Sequence, residues 1–213
     1  MVKYLFISSL ILNGLFIIMF TYLVLKYREY LIQKFIGKKK AAKIVLFGDS
    51  LIDNGNWNEL LKRTDIKNSG FGGTTTSHLT RLIDNNVLAY HPEICFLEGG
   101  INDIEVGIPL DRIMSNYQSL IDTLLSHNIT TVVHSVIYQE NKPQNKIIID
   151  QLNSFLSNYC KQKSVRYLNI NSKLSTDTGL KPEYSTDGTH LTDSAYFVWG
   201  EEIRKELKSI KRQ

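Results

Sequence analysis

From residue 43 onward, short apolar runs recur along the chain, each stopped by glycine or polar turn residues. Lys43-Ile44-Val45-Leu46-Phe47 ends abruptly at Gly48-Asp49-Ser50. Ile94 to Leu97 and Thr130 to Ile137 are equally strong, Val165 to Ile170 is moderate, and Asp65 to Asn68 is short and weak. Runs of this length bounded by turn signals predict buried strands. Between them lie stretches of helical period at 77–84, 110–127, 146–163 and 194–208. The second places Ile113, Tyr117, Leu120, Ile121 and Leu124 on one face, the spacing of a helix packed on a sheet. Strand and helix thus alternate, which predicts one α/β domain over residues 43–213, its parallel sheet covered on both faces by helices.

The pattern ahead of residue 43 is different. Tyr4 to Leu25 is 22 residues without a charge, bracketed by Lys3 and Lys26. At about 1.5 Å per residue such a helix spans about 33 Å, enough for a hydrocarbon core of about 30 Å. Residues 1–25 are therefore expected to be one N-terminal transmembrane helix. A cleaved signal is disfavoured, because its apolar region is shorter and ends at small residues; a buried core helix is disfavoured by a circumference that is apolar all round. Residues 26–42 are expected to be a basic juxtamembrane linker, with Lys38-Lys39-Lys40 available to anionic lipid. These expectations make the chain a single-pass membrane protein. The positive-inside rule puts its body in the cytoplasm.

Charge changes the picture once it is divided. Residues 1–43 hold eight Lys/Arg against Glu29 alone, so the chain's net charge of +4 leaves the body slightly acidic. The body offers no basic footprint, and no nucleic-acid partner is expected. Cys95 and Cys160 show no metal or redox spacing and read as core residues. No metal and no cofactor are expected.

In a parallel sheet of this kind, ligands bind beyond the carboxyl ends of the strands. Four polar segments meet that description: Gly48-Asp49-Ser50-Leu51, Ser69-Gly70-Phe71-Gly72-Gly73-Thr74-Thr75-Thr76, Glu98-Gly99-Gly100-Ile101-Asn102-Asp103, and Asp187-Gly188-Thr189-His190. Together they supply a hydroxyl, an imidazole, a carboxylate, a side-chain amide and flexible backbone N–H groups, the inventory for acyl transfer through a serine. Taken singly each has a plainer reading: a capped turn at Ser50, a surface ion pair at Asp187 and His190. The glycine-rich segment lacks the lysine of a phosphate-binding loop. His78, His91, His127 and His134 have no partner motif and read as structural or exposed.

In this order the four blocks resemble the SGNH hydrolases, the GDSL esterase/lipase family, over about residues 43–210. The resemblance implies a serine ester hydrolase with Ser50 as nucleophile, His190 as base and Asp187 as its orienting acid. It implies an oxyanion hole from the N–H groups of Ser50 and Gly73, with Gly70 and Gly72 as near alternatives, and the amide of Asn102. Gly48-Asp49-Ser50-Leu51-Ile52 is not a G-x-S-x-G elbow, so a three-layer α/β/α sandwich with a flavodoxin-like five-stranded sheet is expected rather than the α/β-hydrolase fold. Asp49 and Asp103 are expected to hold the loops together, and Thr74, Thr75 and Thr76 either to meet substrate or to cap a helix.

The segments between blocks are modest, which leaves little chain for a lid or an acyl tunnel. Short-chain or carbohydrate O-acyl esters are thus favoured as substrate. Three alternatives stay open: a lysophospholipase or thioesterase, a membrane-associated carbohydrate O-acyltransferase using the same serine, and a non-catalytic binding module.

Overall fold

The computed structural model describes residues 2–27 and 41–212. They fall in two compact units, Met1–Lys40 and Ala41–Gln213.

The first unit contains one helix, α1 (Val2–Lys26). The expectation of a transmembrane helix, and with it of a single-pass membrane location and a lipid partner, is corrected here: among the described residues no helix is long and apolar enough to cross a membrane. The expected linker 26–42 lies outside the described residues from 28 to 40.

The second unit is built on β1 (Ile44–Gly48), β2 (Ile66–Gly70), β3 (Ile94–Leu97), β4 (Thr130–His134) and β5 (Arg166–Leu168). All pairings are parallel, in the order β2-β1-β3-β4-β5. This is the flavodoxin-like order, with the topological switch between β1 and β3. The β-branched and aromatic content of β1 suits a strand buried on both faces, and all five of its residues are buried.

Alternation along the strands divides the core in two. Val45, Phe47, Cys95, Leu97 and Val133 face one layer, made by α4 (Thr76–Asn86), α6 (Leu110–Ser126) and α7 (Pro143–Gln162). Ile44, Leu46, Phe96 and Val132 face the other, made by the short helices α2 (Ser50–Asp53), α3 (Trp57–Leu61) and α8 (Asn171–Leu174) and the long α9 (Asp193–Ile210). The three-layer sandwich expected from the sequence is therefore present. Ile113, Tyr117, Leu120, Ile121 and Leu124 of α6 are all buried, as the periodicity required. A fourth short helix, α5 (Ile101–Glu105), follows β3.

Thr130 to Ile137 reads as one strand in sequence but pairs only to His134. Beyond it, the side chain of Asn153 takes over both sides of the Val136 backbone, accepting from its N–H at 2.8 Å and donating to its carbonyl at 2.9 Å. Side-chain amides thus replace the ladder and turn the chain away. The two-stranded hairpin of Ser175–Thr176 and Gly179–Leu180 was not anticipated, since two-residue strands carry no period.

Candidate active site

The register aligns Gly48 with Gly70 and Phe47 with Leu97, so β1, β2 and β3 end level with one another. The polar segments that follow them therefore share one edge of the sheet. Immediately after β1, Asp49 caps α2, its Oδ1 accepting from the Leu51 N–H at 2.9 Å. That cap fixes Ser50 in the first turn of α2, where backbone N–H groups have no intrahelical acceptor. The carbonyls of this four-residue helix are satisfied from the core: Trp57 Nε1 donates to Ile52 O at 2.7 Å and Tyr196 Oη to Leu51 O at 2.8 Å.

Ser50 Oγ lies 3.1 Å from His190 Nε2, and His190 Nδ1 lies 2.7 Å from Asp187 Oδ2. Asp187 Oδ1 also accepts the N–H groups of His190 at 2.8 Å and Thr189 at 3.0 Å. The His190 N–H first, then its ring and the Thr189 N–H, hold the Asp187 carboxyl well below the usual carboxylate range. Asp187 is thus an anion throughout the neutral range. Its side chain is 55% exposed, so it orients His190 rather than stabilising the fold.

The loop carrying these residues is tied on several sides. Gly188 O accepts from Glu140 N at 2.8 Å and Gly188 N donates to Ser185 Oγ at 2.7 Å. Gln139 Nε2 bridges Glu105 Oε1 at 2.6 Å and Thr189 Oγ1 at 2.7 Å. α9 begins three residues after His190, so its packing sets where the imidazole stands.

Asn102, on α5, donates from Nδ2 to Thr74 O at 2.9 Å and makes a longer contact of 3.4 Å to Asp49 Oδ2. The segment after β2 and the Asn102 block are therefore brought together beside the nucleophile turn. Of the three glycines considered, Gly70 is closed to substrate: a Cβ there would sit 2.1 Å from Asp53 N. Gly73 is open on that side and holds φ +71, a conformation that favours glycine. Gly72 and Gly73 both line a depression of about 310 Å³ with Thr74, His78, Arg81 and Leu82.

The flanking acids and threonines are structural. Asp103 is buried and accepts from Thr76 N at 2.8 Å and Thr76 Oγ1 at 2.6 Å, clamping α5 to the start of α4. Thr75 and His78 form a reciprocal cap on α4. His91 and His127 are exposed, whereas His134 is fully buried between Phe96 and Trp199, and burial holds it neutral. Cys95 and Cys160 are free and buried, and burial pushes both thiols up. Among the described residues no group of His, Cys, Asp or Glu is arranged to hold a metal ion.

Sequence reasoning passed over Glu98. It is fully buried and directly follows β3. The available signal was an acid continuing a buried apolar strand without a basic residue nearby.

A parallel sheet of this order with a hydroxyl, an imidazole and a carboxylate in series at its carboxyl edge is the architecture of an ester-bond hydrolase. Residues 46–197 match the GDSL-like Lipase/Acylhydrolase family, and the chain belongs to it.

Among solved structures, a GDSL-like lipase from Bacteroides thetaiotaomicron superposes with a TM-score of 0.73 at 18% identity, covering 85% of this chain and 97% of the other. The lipase/acylhydrolase from Enterococcus faecalis gives 0.71 at 20% identity over 79% and 96%. A catalytic mutant of an acetylxylan esterase from Geobacillus stearothermophilus gives 0.66 at 16% identity over 80% and 96%. At these identities the likeness is one of fold. An N-acylneuraminate cytidylyltransferase of Streptococcus agalactiae is 29% identical over 161 residues, 74% of this chain. The chain spans only 36% of that relative's length.

Proposed function

We propose that residues 43–213 form the catalytic domain of a serine esterase that removes short acyl groups, acetyl above all, from carbohydrate hydroxyls through an acyl-enzyme on Ser50. The observation that carries this reading is the unbroken series Ser50 Oγ, His190 Nε2, His190 Nδ1, Asp187 Oδ2, with links of 3.1 and 2.7 Å. His190 Nε2 takes the Ser50 proton as Oγ bonds to the ester carbonyl carbon, and Asp187 stabilises the imidazolium. The tetrahedral intermediate collapses, the C–O bond to the alcohol breaks, and His190 returns the proton to the leaving oxygen. Water then attacks the acyl-enzyme with His190 again as base, releasing the carboxylic acid and restoring Ser50.

The developing oxyanion is met by the N–H groups of Ser50 and Gly73 and by Asn102 Nδ2. Asn102→Ala is expected to lower kcat by about 10² to 10³ with KM little changed, because the amide acts on charge present only in the transition state. Steady-state hydrolysis of p-nitrophenyl acetate by the full chain measures this.

Support for a sugar ester comes from the acetylxylan esterase among the fold neighbours and from a sequence relative named for N-acylneuraminate, an acidic sugar. Arg81 lines the depression next to Gly73 and is exposed there, offering a cation to an acidic substituent. Arg81→Ala is expected to raise KM for an O-acetylated acidic sugar by about threefold, the size of an exposed ion pair, and to leave a neutral acetyl sugar unaffected. An equal change for both substrates would remove acidic sugars from the proposal. A series of p-nitrophenyl esters from acetate to decanoate tests acyl length; activity rising toward the long chains would favour a lipid substrate instead.

A further inference from the structure

Asp49 and Glu98 each follow the last residue of a core strand, and those strands are paired in register at Phe47 and Leu97. That register sets Glu98 opposite Gly48, the residue before Asp49, with Glu98 Oε2 3.1 Å from where a Gly48 Cβ would stand, and both acids are fully buried. They are unequally provided for. Asp49 accepts from Leu51 N at 2.9 Å and meets Asn102 Nδ2 at 3.4 Å. Neither oxygen of Glu98 has a hydrogen-bonding donor among the described residues, although the backbone N–H groups of Asp49 and Gly99 lean towards it. A buried carboxylate so poorly served, next to a second one, is costly. One proton removes the conflict if Glu98 keeps it and gives the hydrogen bond to Asp49.

We propose that Glu98 is a positioning residue of the ester-hydrolysing site: a carboxylic acid that donates to Asp49 and so leaves the Asn102 amide available to the oxyanion. The two protons of Asn102 Nδ2 have two acceptors, Thr74 O at 2.9 Å and Asp49 Oδ2 at 3.4 Å. The longer contact is the one that yields to substrate. An Asp49 carrying a full, undivided charge would draw that proton in and repel the oxyanion. With Glu98 donating to it, Asp49 still caps α2 but competes less for Asn102.

The groups facing the pair are consistent with a held proton. Asp103 of α5 adds a like charge, and the His190 ring acts on Asp49 in the opposite sense. Tyr117 of α6 donates to Gly99 O at 2.6 Å, and Tyr196 of α9 to Leu51 O. Burial and the nearby acids push both phenols up, so neither adds to the titration. Burial first, then the charge of Asp49, raises Glu98 well above its ordinary value. The sign follows: the proton is held throughout the acid range and is lost as pH rises through the raised value. Activity then declines on the alkaline side, where the pair becomes a dianion.

Glu98→Gln is the decisive variant, since its amide is neutral at every pH and can donate to Asp49. It is expected to keep kcat within about threefold of wild type, well short of a tenfold barrier change, and to abolish the alkaline decline. Glu98→Ala, which leaves Asp49 a bare buried carboxylate, is expected to lose at least about tenfold in kcat, less than the about 10² to 10³ of losing the Asn102 donor itself. An alkaline limb unchanged in Glu98→Gln, or a loss as deep as in Glu98→Ala, would overturn the proposal. The kinetic part rests on the Ser50 reading. Infrared spectroscopy of the full chain separates the two: a protonated-carboxyl carbonyl band at neutral pH that disappears in Glu98→Gln supports the held proton even if Ser50→Ala leaves turnover intact. Its absence from the wild type refutes the proposal outright.

Discussion

Replacing Ser50 with alanine is expected to lower kcat for ester hydrolysis by about 10⁴ to 10⁶, to a residue owed to binding and the oxyanion donors alone. Among the described residues the Ser50 hydroxyl is the group hydrogen-bonded to His190 Nε2, at 3.1 Å, so its proton path passes to no neighbouring nucleophile. Stability should hardly change. Ser50 is only half-buried, and the cap on α2 belongs to Asp49 rather than to Ser50. The variant should therefore unfold at the same denaturant concentration as wild type while failing to react with a fluorophosphonate. Full labelling of the Ser50→Ala protein, or turnover within tenfold of wild type, would show that the acyl group is carried elsewhere. His190→Ala is expected to fall nearly as far, because residues that act as a unit do not lose activity additively.

Trp199→Ala should be the most damaging single change to the fold. Trp199 is fully buried, meets Trp57 edge-to-face at 5.1 Å between centroids, stacks near Tyr196 at 6.1 Å and meets His134 edge-on at 5.3 Å. Truncating a tryptophan in such a core costs about 3 to 5 kcal/mol, a large share of the about 5 to 15 kcal/mol that holds a domain together. The effect reaches the site by a short route. Tyr196, one turn earlier on α9, anchors Leu51 O, and α9 starts just after His190. Loosening that helix is expected to blunt kcat as well as to lower the urea midpoint. Trp199→Phe should recover most of both, since Trp199 Nε1 has no hydrogen-bond partner among the described residues and the ring contacts are what matter. Equal loss in Trp199→Ala and Trp199→Phe would instead point to an unrecognised partner for the indole nitrogen.

Sequence alone reached the architecture because the body is a parallel sheet. Its central strands are buried on both faces and read as continuous apolar runs, and the covering helices carry one apolar stripe each, as Ile113 to Leu124 show. The site blocks were legible for a related reason: in such a sheet the reactive residues must sit just past strand ends, so Ser50, Gly73 and Asn102 could be placed from the strands before them.

Other features depended on contacts that no local pattern records. The closing of Gly70 turned on the backbone of Asp53, seventeen positions away, and the end of β4 on the side chain of Asn153. The N-terminal expectation failed differently: a charge-free run in the sequence was taken for a span, while no described helix is long and apolar enough to be one. Glu98 is the plainest case. In the sequence it opens one of the four polar segments, marked only as an acid that continues an apolar run. Only strand pairing sets it against Gly48, next to Asp49 and away from water, and that juxtaposition, a property of distance and dielectric rather than of order along the chain, is what the proposed held proton rests on.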